Sequence, residues 1–201
     1  MVEKRKKIPD NDDYIKTITI LTEKKDLDTL ITLRMGAEMG MTRLEIVNAK
    51  VSDLDRDNKR GLWIDIAKKV RRGSRKTKKG RKKPIFEMRK REVPINTSLY
   101  QLLTGYIERG QIYILKRKKG QANKPFTTRM INTLYDNAGI GWSSHKSRHY
   151  FKNRLTDWMR KERQMDPELI KDLMGHKKNQ TESYGSLSWD YKLSIVDKVF
   201  Q

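Results

Sequence analysis

"SSHKSRHYF", residues 143–151, places two of the chain's three histidines and an arginine within nine consecutive positions. The run opens a helix at about Ser144, and on a helix His145, Arg148 and His149 share one face, because residues three and four apart are stacked neighbours. Histidines four apart suggest a zinc pair. The zinc-peptidase arrangement, however, carries an acid between them, whereas here Lys146 and Arg148 would repel a cation. No further ligand set with Asp or Glu is evident, so no metal is assigned. A phosphate suits the face better: a guanidinium donates two parallel hydrogen bonds to its oxygens and an imidazole adds another. Taken by itself, the run is met more simply by a capped helix with a partly buried histidine and a surface arginine.

Composition sets the partner class. The chain has 201 residues, with 46 Lys and Arg against 25 Asp and Glu, a formal net charge of +21. That length makes one generous domain, or one domain with an appendage. The charge calls for a polyanion, and nucleic acid is the first candidate. An anionic membrane is the second, but no apolar run of about 18 residues occurs and "MVEKRKKIPD" lacks the apolar centre of a signal peptide. A soluble, intracellular protein is expected. Cysteine is absent, which removes disulfides, thiolate zinc sites and thiol nucleophiles.

Residues 1–19 read as a basic N-terminal arm and residues 20–201 as the folded domain. A helix from Thr22 to about Gly40 carries Leu27, Leu30, Ile31 and Met35 at helical spacing. A second starts from Thr42 as N-cap, with Leu44, Ile46 and Val47. The period then changes: "VSDLDRDNKRGLWIDIAKKV" (51–70) reads as a strand, a turn around Asp57, Asn58 and Gly61, and a second strand with Trp63, Ile64 and Ile66. "PIFEMRKREVPI" (84–95) supplies a third. Between them, residues 68–83 hold eleven basic side chains in sixteen positions with no acid, a basic hairpin at about 68–84. Its Arg71, Arg72, Arg75, Lys76, Lys78, Lys79, Lys82 and Lys83 are assigned to DNA contact. Helices are expected over 97–107, from about Thr127, from Ser144, and after Asp166, where Asp-Pro-Glu gives an N-cap with proline at the first helical position. The last of these stops at Gly175. The fold class is therefore a mainly helical α+β domain with a small three-stranded antiparallel sheet.

Three boxes occur in order: "GMTRLEIVNAKVSDLD" (40–55), "HKSRHYF" (145–151) and "LMGHKKNQTESYG" (173–185). Together they resemble the tyrosine recombinase (phage integrase) family across about residues 20–200. The family's first box, an arginine beside a Glu-bearing helix that runs into Ser-Asp, is matched by Arg43, Glu45, Ser52 and Asp53. Its second, His-x-x-Arg-His followed by aromatics, is matched by His145, Arg148, His149 and Phe151. Its third, Leu-Gly-His with a tyrosine beyond, is matched by Met174, Gly175, His176 and Tyr184. Each box alone is weak; three in order around a strand region are specific.

The resemblance implies a site-specific DNA recombinase or integrase. Phosphodiester cleavage demands that charge on a pentacoordinate phosphorus be neutralised and that a nucleophile and a leaving-group proton be supplied. By the resemblance, Arg43 and Arg148 clamp the non-bridging oxygens and His176 adds a hydrogen bond. Tyr184 attacks to give a 3′-phosphotyrosine, His145 assists proton transfer, and a lysine protonates the departing 5′-oxygen. Neither a cofactor nor a metal is called for. The implied partners are double-stranded DNA and other copies of the chain in a dimer or tetramer.

Two departures stand out. The commonest family pattern has the arginine three positions before the glutamate; here Arg43 is two before Glu45, and Thr42 takes the usual slot. The family's lysine lies at the end of the second strand, which gives Lys69, with Lys68 beside it. About sixteen residues look inserted in the hairpin, which makes Lys76 a rival. Tyr184 competes with Tyr191, and spacing from His176 favours Tyr184. The tail, residues 186–201, makes an amphipathic helix with Leu193, Ile195, Val196, Val199 and Phe200; in the family such a tail docks on a neighbouring subunit, and packing on its own body is the other option. About twenty residues precede the matched region, so the chain reads as the catalytic part of a longer recombinase or as a short form. The alternatives are a type IB topoisomerase, which relaxes supercoils without exchanging strands, and a catalytically silent DNA-binding protein of the same fold. An RNA-binding protein is disfavoured, since no clustered aromatic platform is evident.

Overall fold

The computed structural model describes residues 8–55, 60–64, 69–76, 82–88, 91–117, 124–175 and 187–200, with 69–76 and 82–88 described by their backbone alone. At its centre lies α2 (Leu27–Glu38), every residue of which from Thr29 onward is buried. It packs against α1 (Asn11–Glu23), α3 (Arg43–Asn48), α4 (Thr97–Tyr106), α5 (Thr128–Ala138) and α6 (Ser144–Lys161). A helix covered on all sides is ordinarily apolar all round, yet α2 carries Arg34 and Glu38, paired one turn apart at 2.6 Å. The Glu38 carboxylate also accepts the Tyr14 hydroxyl from α1 and the Asn96 amide at 2.5 Å. Asn96 is the N-cap of α4. A buried charge is tolerated only when its partners are in place, so this one carboxylate fixes how α1, α2 and α4 sit together.

The expectation of an arm over 1–19 is corrected for residues 11–19, which are helical. Asp10 and Asp13 cap each other's backbone reciprocally at the start of α1. Tyr14 then stacks on Tyr150 of α6, ring centroids 4.6 Å apart, and meets Trp142 edge-on at 5.8 Å. Aromatic burial of this size outweighs the polar look of the segment.

Among the described residues the strands number four, in two antiparallel pairs. β1 (Gly61–Ile64) pairs with β4 (Arg91–Pro94), and β2 (Lys69–Lys76) with β3 (Lys82–Met88). The second pair is nested inside the first, with a register shift between Arg71 and Gly73. The small antiparallel sheet is thus present with a different strand count from the three expected. Residues 51–53 form a 3-10 turn, and what remains of the expected first strand is a single bridge from Leu54 to Leu62. "PIFEMRKREVPI" divides between β3 and β4, since residues 69–76 and 82–88 pair with one another.

Gly40 turns the chain from α2 into α3 at φ +60, where a Cβ would lie 2.6 Å from the Phe151 ring. Both the left-handed backbone and the close approach demand glycine. α6 begins at the Ser143 N-cap and buries Ser147, Tyr150, Phe151, Leu155 and Met159. α7 (Pro167–Leu173) starts from Asp166 as read from the sequence. The tail helix α8 (Trp189–Phe200) closes on its own chain: Phe200 stacks on Phe151 at 5.4 Å, and Asp197 binds Arg60 and the Thr97 N–H. In this single chain the tail packs on its own body through Phe200, Asp197 and the buried Ile195, Val196 and Val199. No helix among the described residues is long and apolar enough to cross a membrane.

Candidate phosphate-binding site

Three segments converge on one cleft of about 520 Å³, lined among others by Thr42, Arg43, Asn132, Trp142, His145 and Arg148. α3 supplies its first wall. Thr42 and Glu45 form a reciprocal capping box, with the Thr42 N–H donating to the Glu45 carboxylate at 2.6 Å. Thr42, standing where the family pattern has an arginine, thus serves as a helix cap. Arg43 follows, exposed, its Nη1 donating to Asn132 Oδ1 of α5 at 3.1 Å.

α6 supplies the second wall. His145 and His149 lie with their Nε2 atoms 2.9 Å apart and their rings nearly perpendicular. For these two nitrogens to hydrogen-bond, one must carry a hydrogen and the other accept it. Partial burial, then His145, Lys152 and Arg148, hold His149 below the usual imidazole value. Among the described residues no group of three or more His, Asp or Glu is arranged to hold a metal.

Arg148 sits deeper. Its Nη1 donates to the Gly40 carbonyl, its Nη2 to the Met174 carbonyl at 2.5 Å, and Glu45 Oε2 lies 3.9 Å away. Burial first, then the charge of Arg91, lower its pKa to about 10 against the opposing pull of Glu45. It stays cationic at neutral pH and still borders the cleft.

Arg91, which the sequence reading left in a strand, occupies the space behind. Its Nε and Nη2 donate to the two Glu45 oxygens at 2.9 and 3.0 Å, and its Nη1 donates to the Leu173 carbonyl. The signal was slight: one arginine ahead of "EVPI". Glu45 would rise on burial alone, but Arg91, the Thr42 N–H and Arg148 more than offset this and hold it below the ordinary carboxylate value. Its stabilisation is therefore complete above about pH 4.3, the unfolded value, and is lost as pH falls through the depressed folded value. Glu45→Gln leaves two buried guanidiniums without their counter-charge. It is expected to cost about 3 kcal/mol at neutral pH and to flatten this part of the acid limb, as read from denaturant midpoints between pH 7 and 3.

Lys69 opens β2 opposite Met88, and Lys76 ends it opposite Lys82. At about 3.3 Å per residue the two rival lysines stand roughly 23 Å apart along the strand. Arg71, Arg72, Arg75, Lys82 and Lys83 share this hairpin. Lys68, Lys78, Lys79, His176 and Tyr184 lie outside the described residues. Of the six residues assigned to catalysis, the structure brings Arg43, His145 and Arg148 to one cleft.

The chain is similar in fold to XerA recombinase (TM-score 0.58, 19% identity, 93% of this chain and 63% of that one). It is similar likewise to the integrase from mycobacterium phage Brujita (0.64, 16%, 99% and 61%). A third likeness is to the Tn1549 transposon integrase in complex with circular intermediate DNA (0.59, 18%, 93% and 63%). The chain spans a little over three fifths of each of these proteins. No curated protein matches the sequence. The model of the phage integrase family matches residues 10–186, a span that takes in the cleft, Arg91 and all three sequence boxes; the chain belongs to the phage integrase family, the tyrosine recombinases.

Proposed function

We propose that the chain cleaves and rejoins DNA strands as a site-specific recombinase. The observation that carries this reading is the convergence of Arg43, His145 and Arg148 on one cleft, with Arg148 bonded to the backbone two residues ahead of His176. A phosphodiester in that cleft meets two guanidiniums and an imidazole, the charge and hydrogen bonds that a pentacoordinate phosphorus requires. The Tyr184 oxygen attacks phosphorus and loses its proton through His145. The bond from phosphorus to the 5′-oxygen breaks, and Lys69 gives that oxygen a proton. The 3′-phosphotyrosine keeps the energy of the broken bond, so a 5′-hydroxyl from another strand can reverse the step. His176 donates to the same phosphate.

Double-stranded DNA is the substrate, held along its backbone by Arg71, Arg72, Arg75, Lys76, Lys78, Lys79, Lys82 and Lys83, and copies of the chain pair on it. The Tn1549 integrase bound to circular intermediate DNA supports this choice, as does the net charge of +21. The test is to incubate the protein with a library of nicked duplexes at fixed salt, since affinity for DNA falls steeply with ionic strength. Protein–DNA adducts that survive denaturation are expected, and sequencing the trapped DNA reports the site. Absence of any adduct across the library overturns the reading.

A further inference from the structure

We infer that Arg91 is a positioning residue for Arg148, acting by keeping Glu45 occupied; this rests on the strand-cleavage reading above. Glu45 has two guanidinium neighbours. Arg91 engages both carboxylate oxygens in a fork at 2.9 and 3.0 Å, whereas Arg148 stays 3.9 Å from one of them. The Thr42 N–H takes a further lone pair at 2.6 Å. With three of its roughly four acceptor positions taken and Arg91 seated across both oxygens, the carboxylate does not close a tight pair with Arg148, which keeps its charge for the cleft.

The two arginines also divide the backbone acceptors. Both donate to the Gly40 carbonyl, Arg91 at 3.4 Å, and each takes one of the adjacent carbonyls at the end of α7, Leu173 and Met174. Arg91 thereby ties the turn before α3 to the segment leading to His176 and Tyr184. Its stem passes against Gly175, where a Cβ would lie 2.6 Å from Arg91 Cδ and where φ is +62. With its side chain only 7% exposed and each guanidinium nitrogen holding an acceptor, Arg91 has no face for a phosphate. Its effect on chemistry runs through its neighbours.

Without Arg91, Arg148 is free to swing onto Glu45 and withdraw from the phosphate. A displacement of about 1 Å at a reacting centre costs about 100-fold. Arg91→Met is expected to slow adduct formation on a nicked duplex by about that factor, with DNA affinity within about threefold of wild type at the same salt. The second substitution Glu45→Gln removes the competing carboxylate, and the double variant is expected to regain at least about tenfold, a coupling that additive structural damage does not produce. Arg91→Lys, which keeps the charge but not the fork, carries the same pair of measurements should Arg91→Met fail to fold. The inference is overturned if the folded single variant cleaves within about threefold of wild type, or if Glu45→Gln restores nothing. A wild-type protein that forms no adduct overturns instead the reading on which it rests.

Discussion

Replacing Tyr184 by phenylalanine is expected to abolish covalent attachment to DNA while leaving affinity unchanged, and Tyr191→Phe is expected to form the adduct at about the wild-type rate. The removed oxygen is the proposed nucleophile, and a protein without cysteine has no thiol to take its place. Tyr191 is unsuited by its surroundings. It lies on α8, with its hydroxyl donating to Asp166 Oδ2 at 3.4 Å. Partial burial first, then the charge and hydrogen bond of Asp166, raise its pKa above the ordinary phenol value, which disfavours the phenolate that attack requires. Asp166 caps the N-terminal end of α7, whereas Arg91 and Arg148 hold the carbonyls at its other end. A helix of this length, seven residues, is about 10 Å long, so the Tyr191 hydroxyl is set well away from the guanidiniums. Denaturing gels of each variant on one nicked duplex decide the matter: an adduct that persists in Tyr184→Phe and disappears in Tyr191→Phe reverses the assignment.

Local chemistry explains which parts of this fold were legible in the sequence. Thr42, Thr127 and Asp166 each cap the helix whose start they mark, because a side-chain oxygen within reach of a free backbone N–H is a property of a few adjacent residues. The second box could be read as one helix face for the same reason. α1 was hidden: its Tyr14, Thr17 and Leu21 are buried at helical spacing, but β-branched residues and charges between them gave the segment the look of an arm. The sheet was harder still. Whether "VSDL" becomes a strand depends on partners far along the chain, and β1 finds its partner only at β4, beyond β2 and β3. Arg91 marks the limit. Only its place ahead of "EVPI" sets it apart in sequence from the basic residues of the nearby hairpin. Its role comes from Glu45, 46 positions away, and from the Leu173 carbonyl, 82 positions away.

Of the side chains that border the cleft, Arg148 is expected to matter most to the chemistry. Its guanidinium is held from both sides, by the Gly40 carbonyl before α3 and the Met174 carbonyl after α7. Its side chain is only 12% exposed, so little water screens its charge, and a preorganised cation in such surroundings stabilises developing negative charge far better than an exposed one. Arg43, by contrast, is exposed and shares its Nη1 with Asn132, which makes it the weaker member of the proposed clamp. Removing an arginine that stabilises a phosphoryl transition state costs about 10³- to 10⁵-fold in rate, and Arg148→Ala is placed in that range, with Arg43→Ala nearer the lower end. Arg148→Lys keeps the charge but not the parallel donors, since an ammonium cannot span the Gly40 and Met174 carbonyls while facing a phosphate; an intermediate loss of about 10²-fold or more is expected. Single-turnover rates of adduct formation at neutral pH, constant salt and saturating protein separate the two arginines; equal losses from both would show that Arg148 has no special hold on the phosphate.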